Sequence, residues 1–447
     1  MVPSGALRPQ GDISLLFHAM SESLLRRRPE DFLWATGIED TFVPQTRPGH
    51  RALDEYQLMG HYEHWREDLA LVRDLGLRMV RWGVPWYRLE PFQPGDYDWR
   101  WTDQVIPYMV EELGITPIID LMHYGCPFWL RREFASSEYP AAVAKYARAF
   151  AERYAKLVQW YTPLNEPIVT ALYCGQRGLW PPYLRSESGY VHILLQAIEG
   201  IIETSAALRA VNPEMVLVHV EATGLSRTAR EDLHAVAQEE QSRTFLPFDL
   251  LTGRVKPSHP LFTWLIRNGA SPDRLAEIAA RPVPFSLMGL NFYPQWSTTQ
   301  LYIDRKGRLA YQPVEQDGAG FTALIEDYYR RYQLPIMVTE TSARGDETVR
   351  ARWLEASVAA IRALRSRGIP VLGYTWFPLF TMIDWRYRFG RGPLKEYRLE
   401  LGLYSLDGDE QRWRPTPLVE QFRSYVSDAE NSVGNLGVEQ SSNPPTP

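Results

Sequence analysis

Tyr161-Thr162-Pro163-Leu164-Asn165-Glu166-Pro167 is the stretch whose reading decides the fold. The apolar run Val158-Gln159-Trp160 before it reads as a β-strand, and Pro167, which cannot donate to a ladder, stops that strand. Glu166 then sits at the carboxyl end of a strand, one residue before a turn. A second stretch has the same form. Pro335-Ile336-Met337-Val338-Thr339-Glu340 reads as an apolar strand with a carboxylate at its exit, followed by Thr341-Ser342-Ala343. In an alternating β/α chain, that end of the strands is where chemistry collects.

Six further segments complete a set of eight strands: Asp31 to Gly37, Met79 to Val84, Pro117 to His123, Met215 to Val220, Phe285 to Tyr293 and Ile369 to Trp376. Helical spacing of apolar residues fills the intervals from His61 to Leu75, where Gly76 closes the helix, and at Trp101 to Leu113, Ala141 to Leu157, Val191 to Val211, Phe321 to Tyr332 and Glu347 to Arg367. Eight strands, each followed by a helix, predict a single (β/α)8 TIM barrel over residues 31–427, with elaborated loops after the strands. Residues 1–30 are expected to be an extension with a surface helix from Ile13 to Arg28. Pro417 to Val426 reads as a final docking helix, and the aromatic-free, Ser/Asn/Pro-rich stretch 428–447 as a disordered tail.

Composition narrows the class. At 447 residues with 45% hydrophobic content, the chain can bury a large core, and a net charge of −6 gives no footing for nucleic acid or an anionic membrane. The 15 Trp and 24 Tyr suit a site that stacks on sugar rings, although core packing uses aromatics too. Two cysteines, Cys126 and Cys174, make no disulfide framework, so a reducing cytoplasm is the expected compartment. No apolar run reads as long enough to span a bilayer, and Met1-Val2-Pro3-Ser4-Gly5 lacks the features of a signal peptide.

Two glutamates at two strand ends suit cleavage of a glycosidic bond, in which one acid protonates the leaving oxygen and the other attacks the sugar carbon or activates water. Alternation along the second strand puts Met79, Arg81 and Gly83 on one face and Val80, Trp82 and Val84 on the other. Arg81 then points into the barrel and needs a partner. Glu221, ending the fifth strand, is the rival carboxylate. His219 with Glu221, and His61 with His64, are the metal candidates. No His-x-His pair exists and zinc requires three or four ligands, so no metal is assigned.

These motifs, in this order, resemble glycoside hydrolase family 1, the β-glucosidase family, over roughly Phe32 to Asp407. Asn165-Glu166-Pro167 resembles that family's acid/base motif, and Thr339-Glu340 its nucleophile motif, with Thr341-Ser342 in place of the usual Asn-Gly. The resemblance implies a retaining β-glycosidase without a cofactor, acting on a carbohydrate or glycoside through a glycosyl-enzyme. Glu166 would be acid/base and Glu340 the nucleophile, with Arg81 and Tyr293 touching Glu340. Asn165 would bond the sugar 2-hydroxyl. His123, Asn291, Trp376, Asp384 and Trp385 match sugar-contacting positions, Trp376 one position early. The family has a His-Trp-Asp where this chain has His123-Tyr124-Gly125, and a glutamine in the first-strand loop where this chain offers Glu39-Asp40; Glu39 is the candidate replacement. The remodelled positions leave open a transglycosidase acting on a small-molecule glycoside, and a non-catalytic sugar-binding barrel.

Overall fold

In the computed structural model, which describes residues 32–407 and 412–436, eight parallel strands close into a barrel. They are β1 (Leu33–Gly37), β2 (Met79–Gly83), β3 (Thr116–Asp120), β4 (Trp160–Thr162), β5 (Val216–Ala222), β6 (Leu287–Asn291), β7 (Ile336–Thr341) and β8 (Val371–Trp376). Strands adjacent in sequence pair in space, and β1 closes the ring against β8, with Thr36 opposite Trp376. The connections are helical: α1 (His61–Asp74), α2 (Thr102–Pro107, continued as a π-helical turn over Tyr108–Glu112), α3 (Tyr139–Arg153), α4 (Glu187–Val211), α5 (His234–Leu251), α6 (Gly318–Tyr332) and α7 (Glu347–Ser366), with α8 (Leu418–Leu436) after β8. This is the (β/α)8 barrel that the strand and helix spacing predicts.

The two-residue period of the strands divides the core in two. Ala35, Met79, Ile118, Trp160, Val218, Val220, Leu287 and Met337 fill the barrel interior. Residues of the other parity, such as Val80, Trp82, Ile119, Leu217, Met288 and Val338, pack under the helices in the larger outer cluster. Each fully buried Val, Leu, Ile or Met contributes about 1.5–3 kcal/mol, so both layers hold the barrel shut. The helices start where side chains can cap them. Ser186 accepts from Gly189 N–H, Asp317 from Ala319 and Gly320 N–H, and Asp346 from Val349 N–H.

Four expectations need correction. Helix α4 is, by length and composition, apolar enough to cross a bilayer, contrary to the reading of the sequence. In this fold, 72% of its most apolar stretch is buried, because α4 packs against α3 and the π-helical turn Ala171–Gln176. The interval between β5 and β6, for which the sequence reading gives no helix, carries α5 and the short helices Phe262–Arg267 and Pro272–Ala279. A run of polar residues opens α5 and Pro247 lies inside it, which obscures its periodicity. The same excursion pairs Leu225–Arg227 with Thr298–Ile303 and Leu309–Pro313 in a three-stranded sheet. Lastly, α8 runs on to Leu436, past the expected end at Val426; the prolines that bar a helix, Pro444 and Pro445, come only later. The N-terminal extension 1–30 and the rest of the expected tail lie outside the described residues.

Candidate active site

The site stands at the carboxyl ends of the strands and is organised around Arg81. As the alternation of β2 requires, its guanidinium points into the barrel and is fully buried. Burial opposes its charge, but Asp120, Glu340 and Asp40 outweigh that and hold the group protonated. Its fork serves three acceptors at once. Nη1 donates to Glu340 Oε1, and Nη2 lies 2.5 Å from Asp120 Oδ2 and 2.7 Å from Asn165 Oδ1. The Phe377 ring lies 5.3 Å from the guanidinium carbon, in space left open by Gly37, where a Cβ would fall 2.3 Å from that ring.

Glu340 lies where the β7 ladder shifts register: against β6, pairing moves from Val338–Leu290 to Glu340–Asn291. The irregularity lets Glu340 turn into the mouth, where Tyr293 Oη donates to Oε2 at 2.7 Å. Beside it, Thr341 is locked outward, donating to Phe292 O at 2.6 Å and accepting from Trp353 Nε1 at 2.9 Å. The pair that replaces Asn-Gly is therefore structural on its threonine side.

β4 ends at Thr162, earlier than expected. Glu166 lies beyond it, at the start of the short helix Pro167–Thr170, with left-handed backbone (φ 45°, ψ 66°). Such a conformation costs on the order of 1–3 kcal/mol for a side-chain-bearing residue. The β5 wall holds it: Glu166 N–H donates to Val220 O at 3.1 Å, and Asn165 bridges to the same residue. Its carboxylate accepts from Tyr124 Oη at 2.5 Å and from Asn291 Nδ2 at 2.8 Å. Burial first, and the charge of Glu340 second, push the Glu166 carboxyl up to about 7 despite those hydrogen bonds.

Asn165 and His123 form the centre of the network. Asn165 Oδ1 accepts from Arg81 and, at 3.3 Å, from Asn291, while its amide donates to Tyr124 Oη at 2.9 Å and meets His123 Nε2 at 2.9 Å. Because Arg81 can only donate, Oδ1 must face it, and the amide must face His123. Nε2 of His123 therefore accepts. Burial also disfavours a charged imidazole, whereas Asp40 and Asp120 favour one; the hydrogen bond at Nε2 decides for the neutral ring. Its proton lies on Nδ1, which is 2.7 Å from Asp40 and 3.4 Å from Asp120. Asn165 thus spends both amide protons and its oxygen on protein partners, and His123 spends Nε2 on Asn165, in contrast to the sugar-bonding roles expected for them. Asn291 is likewise committed, accepting from Thr339 Oγ1 at 2.7 Å and donating to Glu166.

Two expected sugar contacts are corrected. Trp376 faces the outer core, fully buried, and its Nε1 donates to Leu401 O at 3.1 Å; Phe377, one residue later, takes the place in the mouth. Asp384 caps the 3-10 turn Trp385–Phe389, accepting from Arg386 N–H at 2.9 Å and pairing with Arg386 Nη2 at 2.7 Å. Trp385 does stand with the site aromatics, 5.0 Å from Trp180 and 5.9 Å from Tyr124 between ring centroids. Glu39 is brought in as well, nine-tenths buried and in the fields of Asp40 and Glu340. Glu221 points the other way. It has the parity of Leu217 and His219, and accepts from the N–H of Ile168 and Ala222 at 3.4 and 3.1 Å behind the wall. His61 is bound to Asp68 at 2.6 Å and Trp82 at 3.1 Å.

Asp120 and Phe377 belong to the site without a place in the sequence reading, while Asp40, Tyr124 and Thr339, named there only as motif neighbours or replacements, gain contacts: Tyr124 donates to Glu166 and Thr339 to Asn291. Asp120 was accessible, since it shares the inward parity of Ile118 and faces the predicted Arg81. Tyr124 was not, because it lies beyond β3 with φ 79°, where strand alternation no longer applies. Asp40, Asp120 and His123 offer three ligand atoms within 4.8 Å of one another, but the Arg81 cation already sits against them.

Fold and site together define a barrel glycosidase. The model of the family described as glycosyl hydrolase family 1 matches residues 35–246. Beta-glucosidase A of Thermotoga maritima is 23% identical over 73% of this chain and 78% of its own. An aryl-phospho-beta-D-glucosidase of Bacillus subtilis is 24% identical over 81% of this chain and 82% of its own. The solved structure of the family 1 β-glucosidase from Thermotoga maritima superposes with a TM-score of 0.77 at 18% identity, covering 90% of this chain and 99% of that one. The same enzyme in complex with glucoimidazole matches with a TM-score of 0.77 at 20% identity. The chain is thus similar to glycosyl hydrolase family 1 over residues 35–246, and to these relatives and structures at identities of 18–24%.

Proposed function

We propose that the protein is a retaining β-glycosidase in which Glu340 is the nucleophile and Glu166 the acid/base. One observation carries this reading: the two carboxylates are held differently. Glu340 lies against the charged fork of Arg81 and the hydroxyl of Tyr293, whereas Glu166 is buried, makes no ion pair among the described residues and is pushed up to about 7. That difference assigns the roles. Glu340, ionised, attacks the anomeric carbon while Glu166 protonates the departing oxygen. With Glu340 esterified, its push on Glu166 disappears, and Glu166 becomes the base that draws a proton from water. The water releases the sugar with the configuration it entered with. Support also comes from the relatives, named as a β-glucosidase and an aryl-phospho-β-glucosidase.

Azide rescue tests the assignment. E340G is expected to lose turnover of an aryl β-glycoside and to regain part of it with azide, giving a glycosyl azide of inverted configuration. E166A is expected to retain turnover of substrates with good leaving groups and to give an azide of retained configuration. The opposite pattern reverses the roles, and loss of activity in E221A alone moves the chemistry to Glu221.

A further inference from the structure

Asn165, His123 and Asn291 spend polar atoms on one another and on Arg81, Tyr124, Thr339 and Glu166, and Asp384 is turned to Arg386. Glu39 differs. Among the described residues its only hydrogen bond is a 3.3 Å contact from Thr41 N–H within its own loop, although nine-tenths of the residue is buried. Every titratable neighbour that acts on it is an acid or is already engaged. Asp40 follows it in the loop, Glu340 enters from β7, Glu55 lies in the short helix Glu55–Leu58, and His123 after β3 is neutral and bonded to Asp40. The cation in the mouth, Arg81, is divided among Glu340, Asp120 and Asn165. A buried carboxylate without a counter-charge is costly unless it is neutralised or meets a cation.

We propose that Glu39 holds an ammonium group on the sugar ring, so that the preferred glycone is an aminodeoxy sugar rather than a neutral hexose. The idea deepens the glycosidase reading above and rests on the glycone lying in this mouth. An ammonium supplies the missing positive charge and makes a charge-assisted hydrogen bond to the carboxylate. A hydroxyl in the same place leaves Glu39 either unbalanced or protonated.

The test uses phenyl β-thioglycosides, which bind without turnover. A neutral hexoside is compared with its analogues bearing an amine in place of one hydroxyl at C2, C3, C4 or C6. Calorimetry on the full-length protein at pH 7 is expected to show at least one amine isomer binding ten-fold or more tighter than the parent. In E39Q that ratio is expected to fall to about one; should E39Q not fold, E39M carries the same comparison. A parent that binds as well as every amine isomer overturns the proposal, as does absence of binding by any of them or a preference that survives removal of the Glu39 carboxylate. Hydrolysis is scored separately on the O-glycosides. Binding of the amine isomer with no turnover sinks the glycosidase reading and leaves Glu39's role standing; turnover without amine preference does the reverse.

Discussion

Arg81 shows how much one residue carries. Three acceptors meet a single planar fork, and lysine offers a point charge with no such geometry. R81K is expected to lower kcat/KM on an aryl β-glycoside by about 100-fold or more, the scale seen when one preorganised donor is lost. R81M leaves buried Asp120 unpaired and is expected to cost about 3–5 kcal/mol in urea unfolding. Unchanged kinetics in R81K would show that the fork is not used. Asp384 makes the opposite case. With its carboxylate capping Trp385–Phe389 and bound to Arg386, D384A is expected to cost about 1 kcal/mol of stability while changing kcat/KM less than about three-fold. A loss of ten-fold or more in kcat/KM would mean that Asp384 reaches the sugar. Both residues were visible in the sequence. Strand parity sufficed for Arg81, because the charge had to be inside. For Asp384, the motif position is legible, but the motif does not show that Arg386, two residues on, competes for the carboxylate.

At the level of elements, the barrel strands were legible because apolar runs of five or six residues leave little choice. Their ends were less so. β3 stops at Asp120 and β4 at Thr162, short of His123 and Glu166, since the chain leaves the ladder to bring polar groups over the mouth. Helix α5 went unread because polar residues and Pro247 interrupt its stripe. Close approach between elements was not legible at all. Gly83 at the end of β2 has no room for a methyl: a Cβ there would fall 2.0 Å from Asp40 Oδ2 and 2.6 Å from Asp40 Cβ. The loop after β1 can press on β2 only because Gly83 is bare, and that loop delivers both Glu39 and the Asp40 that orients His123. G83A is therefore expected to displace Asp40, with about 1–3 kcal/mol of destabilisation from overpacking and a loss of activity of at least about ten-fold. A Tm and kcat/KM equal to wild type would show that the loop yields freely.

For the whole molecule, buried acids set the response to pH. Glu39 and Glu166 both move from 4.5 to about 7, chiefly through burial. Below 4.5 they are protonated folded or unfolded, and their contribution to stability is complete. As pH rises toward 7, the unfolded chain ionises while the folded one resists, so stability is lost across that window. At 1.36 kcal/mol per pH unit each acid accounts for on the order of 3 kcal/mol. Asp120 acts in the opposite sense at lower pH: burial raises it, but the charge of Arg81 and a hydrogen bond from His123 hold it below its usual range. The Tm is expected to be higher near pH 5.5 than near pH 8, and E39Q to flatten part of that slope, since burial raises Glu133, Glu55 and Glu221 as well; a Tm rising from pH 5.5 to 8 would contradict the burial of these acids. The closure of the barrel bears on how the chain is made. Thr36 of β1 donates to Trp376 O across 340 residues of sequence. At roughly 5–20 residues per second, the ribosome needs about 20 s to a minute to supply β8 after β1 emerges. For that time one edge of β1 has unpaired N–H and C=O groups and can template the wrong partner. Synthesis thus exposes this chain to misassembly at its first strand, and a chaperone that covers the nascent β1 edge should raise the folded yield more than one that acts after release.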